Sequence, residues 1–408
     1  MPLHPPSAPS TPKPEQPPAP GAQPGAHKSN PGLIDWLKQY WERVTEGLEM
    51  SQLWNQFKSD AEVSLRFYRR DFDARSPHGE RGKNILHTIQ EFTWALLEKL
   101  SPARRVLLLL GILILFFGGM GFNYTDKEGT VHGISIDLHF YAGLILLVLL
   151  MLEVADRVVM KRDLEIARDI QSWLLPTKPP QVPGLEMAFA TRPANTVAGD
   201  YYDVFSRNPD SSESSFLLAV ADVAGKSIPA ALLMATFQAS LKTLSATQCS
   251  LAALVTSLNQ YACTNSQGGL RFTTAFIAEF DPATRVLNYI NAGHNTPILK
   301  RASGEIERLT NGGLPLGILA ESVYETGSLV LQQGDWLIVF TDGLVEAENS
   351  TRDEYGEPRL LEMLKVESTV TPDQLLRRIT DDLDAFVGTA PQHDDVTCVL
   401  VKVTPPQE

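Results

Sequence analysis

Ala221-Asp222-Val223-Ala224-Gly225-Lys226 is an apolar segment that ends in an aspartate and a glycine turn. Three other acidic segments lie beside runs that favour β-strands: Gly199-Asp200-Tyr201-Tyr202-Asp203, Thr341-Asp342-Gly343 and His393-Asp394-Asp395-Val396-Thr397. Carboxylates at strand ends are hard oxygen ligands, which suit Mg²⁺ or Mn²⁺. The sequence therefore predicts a metal site that folding assembles from distant segments.

The composition limits the classes of function that the chain can have. Its 408 residues carry a net charge of −13 and are 43% hydrophobic, which is enough for two or three units with a sizeable core. From Pro176 onward the chain has 16 Lys and Arg against 28 Asp and Glu, which argues against a nucleic-acid partner. The three cysteines lack C-x-x-C spacing, so they indicate a reducing compartment and neither a zinc site nor a disulfide framework.

The first hundred residues divide into two regions. Residues 1–32 contain eleven of the 28 prolines and predict a disordered tail. Residues 33–105 have apolar side chains at helical spacing and four of the six tryptophans, which predicts a cytoplasmic amphipathic helical region. This region is either a sensory or membrane-surface module or a small helical bundle whose apolar stripes form a core.

Residues 106–152 are expected to cross a membrane twice. Val106 to Thr125 has twenty residues without a charge, enough for a hydrocarbon core about 30 Å thick. The second run, Leu138 to Leu152, is shorter, so a single span or a buried hairpin is the alternative. Basic residues flank the pair, while the connecting loop has one lysine, which predicts both ends in the cytoplasm. We therefore expect a multi-pass protein of the cytoplasmic membrane.

Residues 153–175 are predicted to form a polar linker helix. Leu152, Val159, Ile166 and Trp173 follow one another at seven-residue spacing, which indicates a partner helix. That partner is a second protomer, giving a homodimer, or the helix packs on its own domain. Pro176 ends the helix and begins the last predicted domain, 176–405.

The periodicity of residues 176–405 predicts an α+β fold with antiparallel sheets. The expected helices are 228–246, 251–264 and 372–387. The expected strands are 216–223, 273–280, 285–291, 328–332, 335–341 and 396–403.

Candidate metal ligands are Asp200, Asp222, Asp342 and Asp394, with Asp395 as the competitor for the last position. A main-chain carbonyl at Val223 or Ala224 could supply a further oxygen. Two cations about 3.5 to 4 Å apart can share a water and generate hydroxide near neutral pH to attack a phosphoryl group. Any one Asp-Gly pair more often serves a turn, so the prediction depends on the set.

Other residues have two readings each. His294 and His393 could donate a proton to a leaving oxygen. His294 could instead stabilise a turn, and His393 could orient Asp394. Lys226 could bind phosphate or be solvated. Cys263 is not followed by an arginine-containing phosphate loop, which gives cysteine-based phosphatase chemistry little support.

Seven segments, in this order, resemble the SpoIIE/RsbU-type bacterial phosphatases of the metal-dependent PPM superfamily, which is related to protein phosphatase 2C. The resemblance covers about residues 165 to 403. The segments are Ala167-Arg168-Asp169-Ile170-Gln171-Ser172-Trp173-Leu174-Leu175-Pro176, the four acidic segments above, Asn291-Ala292-Gly293-His294-Asn295 and Pro315-Leu316-Gly317-Ile318, with Thr341-Asp342-Gly343 extended by Leu344-Val345-Glu346-Ala347.

The resemblance implies an αββα sandwich in which two antiparallel sheets flanked by helices hold two Mn²⁺ or Mg²⁺ ions. It implies hydrolysis of phosphoserine or phosphothreonine by metal-bound hydroxide on a regulatory protein, typically an anti-sigma-factor antagonist of the STAS type. Asp200 and Asp222 would take the bridging metal roles, and Asp342 and Asp394 would complete the second metal. Ser227 stands where many relatives have a glycine.

Two rival functions come from other classes. One is a catalytically silent phosphatase-like module that binds a partner in a signalling complex. Four converging aspartates argue against it, because their mutual repulsion would destabilise a fold without metal. The other is a two-metal phosphoesterase acting on nucleotides or nucleic acid, which the acidic balance makes less favourable.

Overall fold

The computed structural model describes residues 100–125, 131–207, 215–265, 271–365 and 369–405. It divides into two compact units, Met1–Leu146 and Leu147–Glu408. The predicted tail 1–32 and all but the last residues of the predicted helical region 33–105 lie outside the described residues.

In the first unit, a short apolar helix is followed by a β-hairpin. Helix α1 spans Pro102–Phe117, and strands β1 (Gly119–Thr125) and β2 (Val131–Asp137) pair antiparallel. The expected first span therefore differs from the structure, because its last residues belong to a strand. The change falls at Gly118 and Gly119, and glycine disfavours helix. Among the described residues, the helices do not combine the length and apolar content that a membrane span requires.

Helix α2 extends over 36 residues, His139–Leu174, and so joins the second apolar run and the predicted linker helix into one element. It ends just before Pro176, as the sequence predicts. The side chains at seven-residue spacing are solvent-exposed, with Val159 at 58% and Trp173 at 79%. The described part of this chain therefore does not cover these side chains.

The second unit contains two β-sheets. The first has the strand order β10-β7-β6-β5-β4, with β11 also paired to β7. Its pairs are antiparallel except for the two-residue parallel pairing of β10 with β7. Its strands are β4 (Tyr201–Ser206), β5 (Phe216–Val223), β6 (Thr273–Asp281), β7 (Val286–Ala292), β10 (Gly312–Gly313) and β11 (Gly327–Val330).

The second sheet has the order β3-β13-β12-β8-β9 and is antiparallel throughout. Its central strands are nearly continuous apolar runs because both faces are covered. Its strands are β3 (Leu185–Arg192), β8 (Ile298–Lys300), β9 (Ile306–Arg308), β12 (Trp336–Phe340) and β13 (Val396–Val403).

Helices cover the outer face of each sheet. Helices α3 (Ser227–Ser245) and α4 (Leu251–Asn265) pack on the first sheet. Helices α5 (Asp342–Val345), α6 (Glu357–Met363) and α7 (Pro372–Val387) pack on the second. A third apolar core lies between the sheets. The predicted αββα sandwich is confirmed, with one short parallel pairing in place of a purely antiparallel first sheet.

Candidate metal centre

Strand register brings the predicted acidic residues to one end of the sandwich. Asp200 precedes β4 and Asp222 lies near the end of β5, and these strands pair with Tyr201 opposite Ala221. Asp342 follows β12 and Asp394-Asp395 precede β13, whose pairing places Phe340 opposite Cys398. Since the strands of each pair are antiparallel, the end of one lies beside the start of the other. We call Asp200, Asp222, Asp342, Asp394 and Asp395 the acidic edge.

Asp200 is the most deeply buried residue of the acidic edge, with 1% of its surface exposed. The hydroxyl of Thr341 donates a hydrogen bond to its Oδ2 at 2.9 Å. Burial raises the pKa of Asp200 well above its usual range, and the nearby charge of Asp222 raises it further. This carboxylate is therefore held in place by Thr341 and is electrostatically strained without a cation.

Asp222 experiences the largest number of neighbouring charges. Burial, followed by repulsion from Asp342, Asp394 and Asp395, raises the pKa of Asp222 to about 7. Burial, followed by repulsion from Asp394, also raises the pKa of Asp342. These shifts show that carboxylates from both sheets lie close enough to oppose each other's ionisation.

Asp394 and Asp395 have different surroundings. Both carboxylate oxygens of Asp395 accept main-chain hydrogen bonds, Oδ1 from Ala194 at 2.7 Å and Oδ2 from Gly199 at 2.6 Å. Asp394 is about half-exposed, and its Oδ2 lies 3.1 Å from Nζ of Lys226. Asp395 is thus committed to holding the 193–200 loop, whereas Asp394 faces outward and suits a ligand position.

At the acidic edge, two glycines lie so close to oxygen atoms that a side chain would crowd them. A Cβ at Gly199 would lie 3.2 Å from the carbonyl oxygen of Val223 and 3.8 Å from Oδ2 of Asp395. A Cβ at Gly343 would lie 2.1 Å from the carbonyl oxygen of Asp395. Any side chain at Gly343 would push Asp342 away from the loop that carries Asp394.

The donor set fits divalent cations by its chemistry. It consists of carboxylates and a main-chain carbonyl at Val223, which are the ligands that Mg²⁺ and Mn²⁺ prefer. The described residues do not contain three acidic, histidine or cysteine side chains already converged on one point. The carboxylates that would hold the ions are Asp200, Asp222, Asp342 and Asp394, and binding would offset the repulsion that raises their pKa values.

The two histidines of the predicted site have different surroundings. Burial lowers the pKa of His294 to about 4, so its ring is neutral at pH 7. Its Nδ1 pairs with the Thr274 hydroxyl at 3.0 Å. The turn itself is held by Asn291, whose side chain bonds the main chain of His294. His393 is exposed, and its carbonyl oxygen accepts a hydrogen bond from Lys226.

Two further predictions about reactive groups can be compared with the structure. Lys226 is neither free nor simply solvated, since it pairs with Asp394. Burial raises the pKa of the Cys263 thiol, which disfavours the thiolate that cysteine-based catalysis needs.

A cleft of about 360 Å³ opens beside Asp394. It lies between the end of α7 and the segment that follows α5, and its walls include Glu346, Glu348 and Glu354. Repulsion from Asp342, Glu354 and Asp394, after burial, raises the pKa of Glu346. Gly343 and Asp394 also line this cleft, so it reaches the acidic edge.

Three residues near the site were given no role from the sequence, although Gln171 and Thr341 lie in segments that carry the resemblance. Thr341 adjoins Asp342 but acts on Asp200, which is 141 residues away in the chain. Gln171 bonds the loop that leads to Asp200. Arg271 places Nη1 3.3 Å from the ideal Cβ position of Gly225, in the turn after Asp222. The sequence shows only that Thr341 adjoins Asp342 and that Gln171 lies near the end of a helix.

Comparison with known proteins agrees with this geometry. The second unit shares its fold with the SiaA-PP2C domain of Pseudomonas aeruginosa, with a TM-score of 0.52 and 19% sequence identity over 61% of this chain and 98% of that one. The paired sheets and the covering helices thus form a PP2C-like fold.

Residues 212–404 match the sequence model of the family described as Stage II sporulation protein E (SpoIIE). The chain is 28% identical over 269 residues to Protein IcfG of Synechocystis sp., covering 60% of this chain and 42% of that protein. It is 28% identical over 246 residues to Phosphoserine phosphatase RsbU of Bacillus subtilis, covering 59% of this chain and 70% of that protein. The second unit is therefore similar to the SpoIIE family over residues 212–404.

Proposed function

We propose that the protein is a metal-dependent protein serine/threonine phosphatase. The observation that carries the proposal is the acidic edge, where carboxylates from two sheets raise one another's pKa values. Such an arrangement is costly without cations and suited to binding two of them. The similarity to RsbU, which is named a phosphoserine phosphatase, supports the same chemistry.

Asp200, Asp222, Asp342 and Asp394, with the Val223 carbonyl, would hold two Mn²⁺ or Mg²⁺ ions. The ions would supply charge stabilisation to the phosphoryl group and activation of the attacking water. Asp395 keeps the 193–200 loop in place through two main-chain hydrogen bonds. Thr341 fixes the orientation of Asp200. Lys226 partly offsets the charge of Asp394.

Arg271 is positioned to bind the phosphate of the substrate. Its guanidinium lies beside the turn that follows Asp222, and in the described part of the chain no carboxylate pairs with it. A guanidinium can donate two parallel hydrogen bonds to a phosphate. Replacement by methionine should raise KM for a phosphoprotein, whereas Arg378→Met on the exposed face of α7 should leave KM unchanged.

The substrate we propose is a phosphorylated regulatory protein, with STAS-type antagonists of anti-sigma factors as the first candidates. The sequence similarity to RsbU supports this choice. The cleft beside Asp394 would receive the segment that carries the phosphoserine.

We also propose that the protein is anchored in the cytoplasmic membrane through α1 and the first part of α2, with both chain ends in the cytoplasm. Large apolar side chains are exposed on both helices, including Leu113 at 58%, Phe116 at 75% and Phe140 at 76%. A short apolar helix can be accommodated by local thinning of the bilayer. Retention of the full chain in membranes after carbonate washing supports the anchor, and full release contradicts it.

Homodimer formation through α2 completes the proposal. Val159, Ile166 and Trp173 are exposed at seven-residue spacing, so a second copy of α2 could cover them. Cysteines introduced at Val159 and Ile166 should crosslink in membranes. Recovery of monomers alone under oxidising conditions would contradict the dimer.

The test of the enzymatic proposal is phosphate release by the full chain, with Mn²⁺ or with EDTA, from p-nitrophenyl phosphate and from a phosphoserine STAS protein. Metal-dependent release that is lost in Asp222→Asn and Asp342→Asn supports the phosphatase. If Mn²⁺ binds but neither substrate is hydrolysed, the domain is a binding module instead.

A further inference from the structure

Gln171 is a buried polar residue in the last turns of α2. Only 7% of its surface is exposed, whereas Trp173 in the same turn is 79% exposed. Its Nε2 donates a hydrogen bond to the carbonyl oxygen of Ala198 at 2.7 Å. Its Oε1 accepts one from the main-chain nitrogen of Ala198 at 2.9 Å. One carboxamide therefore satisfies both main-chain groups of a single residue, as a neighbouring strand would.

Ala198 lies in the loop between β3 and β4, which has no regular structure. Ala198 is 2% exposed, so without Gln171 its main-chain groups would lack partners and would be shielded from water. The next residue, Gly199, donates to Asp395, and the residue after it is Asp200. Gln171 therefore fixes the main chain two residues before a proposed metal ligand.

The loop is held from two directions. On one side Asp395 bonds Ala194 and Gly199 and ties the loop to the second sheet. On the other side Gln171 ties it to α2. Among the described residues, Asp395 and Gln171 are the side chains that bond the main chain of the 193–200 loop. The position of Asp200 thus depends on a residue outside both sheets.

We propose that Gln171 is a positioning residue for the metal centre, setting the place of Asp200 through its paired hydrogen bonds to Ala198. The proposal rests on the proposed function, in which the acidic edge binds two divalent cations. It gives the end of α2 a defined contact with the loop that leads to Asp200. This contact is separate from any role of the exposed residues Val159, Ile166 and Trp173 in dimer formation.

Three substitutions separate hydrogen bonding from packing. Gln171→Met keeps the length of the side chain and removes both hydrogen bonds. Gln171→Glu keeps one acceptor but places a carboxylate against the carbonyl oxygen of Ala198. Ser172→Ala is the matched control, because Ser172 is exposed and its hydroxyl bonds only within α2, to the Asp169 carbonyl.

The full chain would be studied by hydrogen–deuterium exchange across residues 193–200 and by calorimetric titration with Mn²⁺. We expect faster exchange at Ala198 and Gly199 in Gln171→Met and Gln171→Glu. We also expect Mn²⁺ affinity to fall by about 10-fold or more, the usual effect of removing a group that orients a metal ligand. Ser172→Ala should match the wild type in both measurements.

Two results would overturn the proposal. One is a lowered melting temperature in Gln171→Met with unchanged exchange in the loop and unchanged Mn²⁺ affinity, since that pattern describes a purely structural residue. The other is wild-type behaviour of Gln171→Met in every measurement. If the wild type itself binds no Mn²⁺, the proposed function fails, and the exchange data still show whether Gln171 holds the loop.

Discussion

Replacing Asp222 by asparagine is expected to stabilise the metal-free protein while abolishing metal-dependent activity. The carboxylate is buried and faces Asp342, Asp394 and Asp395, so its charge destabilises the folded state when no cation is present. Asparagine has nearly the same shape and carries no charge. We therefore expect Asp222 to lower the free energy of unfolding when no metal is bound.

The magnitude follows from the pKa of Asp222, which burial and then its acidic neighbours raise from 3.8 to about 7. The folded state binds this proton more tightly than the unfolded state does. The contribution of Asp222 to stability is therefore complete below pH 3.8 and is lost as the pH rises through about 7. At about 1.4 kcal/mol for each pKa unit, the complete loss is about 4 kcal/mol. Between pH 5 and pH 8 the wild type should lose about 3 kcal/mol.

The assay is urea unfolding in EDTA at pH 5 and pH 8, followed by far-ultraviolet circular dichroism. Asp222→Asn should be more stable than the wild type, and by more at pH 8 than at pH 5. Asp281→Asn is the matched control, because hydrogen bonds from Thr284 and Ala283 lower the pKa of Asp281. That substitution should destabilise the protein at both pH values.

Mn²⁺ at 100 times its Kd should add about 2.7 kcal/mol to the wild type, if it binds only the folded wild type. That gain should narrow the difference of about 4 kcal/mol at pH 8 and reverse the order at pH 5, where the difference is about 1 kcal/mol. The reasoning would be refuted if the stability of the metal-free wild type were constant or rose between pH 5 and pH 8. It would also be refuted if Asp222→Asn were less stable than the wild type in EDTA at pH 8.

Other substitutions test individual parts of the site. Asp395→Ala should lower the free energy of unfolding by about 1–3 kcal/mol, because two main-chain donors lose their acceptor. Asp394→Ala should mainly weaken Mn²⁺ binding. The division of roles would be contradicted if the two substitutions had equal effects on Mn²⁺ affinity in calorimetry and on stability in urea unfolding. Gly343→Ala should cost about 3 kcal/mol through its contact with the Asp395 carbonyl, and an unchanged melting temperature would count against the close approach. Ser227→Gly should raise stability by about 0.5–1 kcal/mol, because Ser227 has a φ of 62°; a destabilised variant in thermal unfolding would show that the serine side chain is needed.

The sequence predicted the elements whose residues form long periodic runs. β5 and β13 are each eight residues long and mainly apolar, and α7 has an amphipathic pattern that begins after Thr371 with a capping box. Their bounds match the predictions. The predicted strands do not include β3, β4, β8, β9 and β10. The three-residue strands β8 and β9 are too short to show a period of two.

The sequence also identified the residues of the acidic edge, because Asp-Gly and Gly-Asp pairs beside apolar runs are visible without a structure. It did not separate the roles of Asp394 and Asp395. That difference depends on the main-chain donors Ala194 and Gly199, which are about 200 residues away in the chain. The role of Gln171 could not be predicted for the same reason, because its partner Ala198 is 27 residues away, in the 193–200 loop.

The most direct test of the central claim is the anomalous diffraction of manganese in crystals of the protein grown with Mn²⁺. The account predicts two anomalous peaks at the acidic edge, contacted by carboxylates of Asp200, Asp222, Asp342 and Asp394. Peaks only at other positions, or none at the acidic edge at millimolar Mn²⁺, would contradict a binuclear metal centre built from these aspartates.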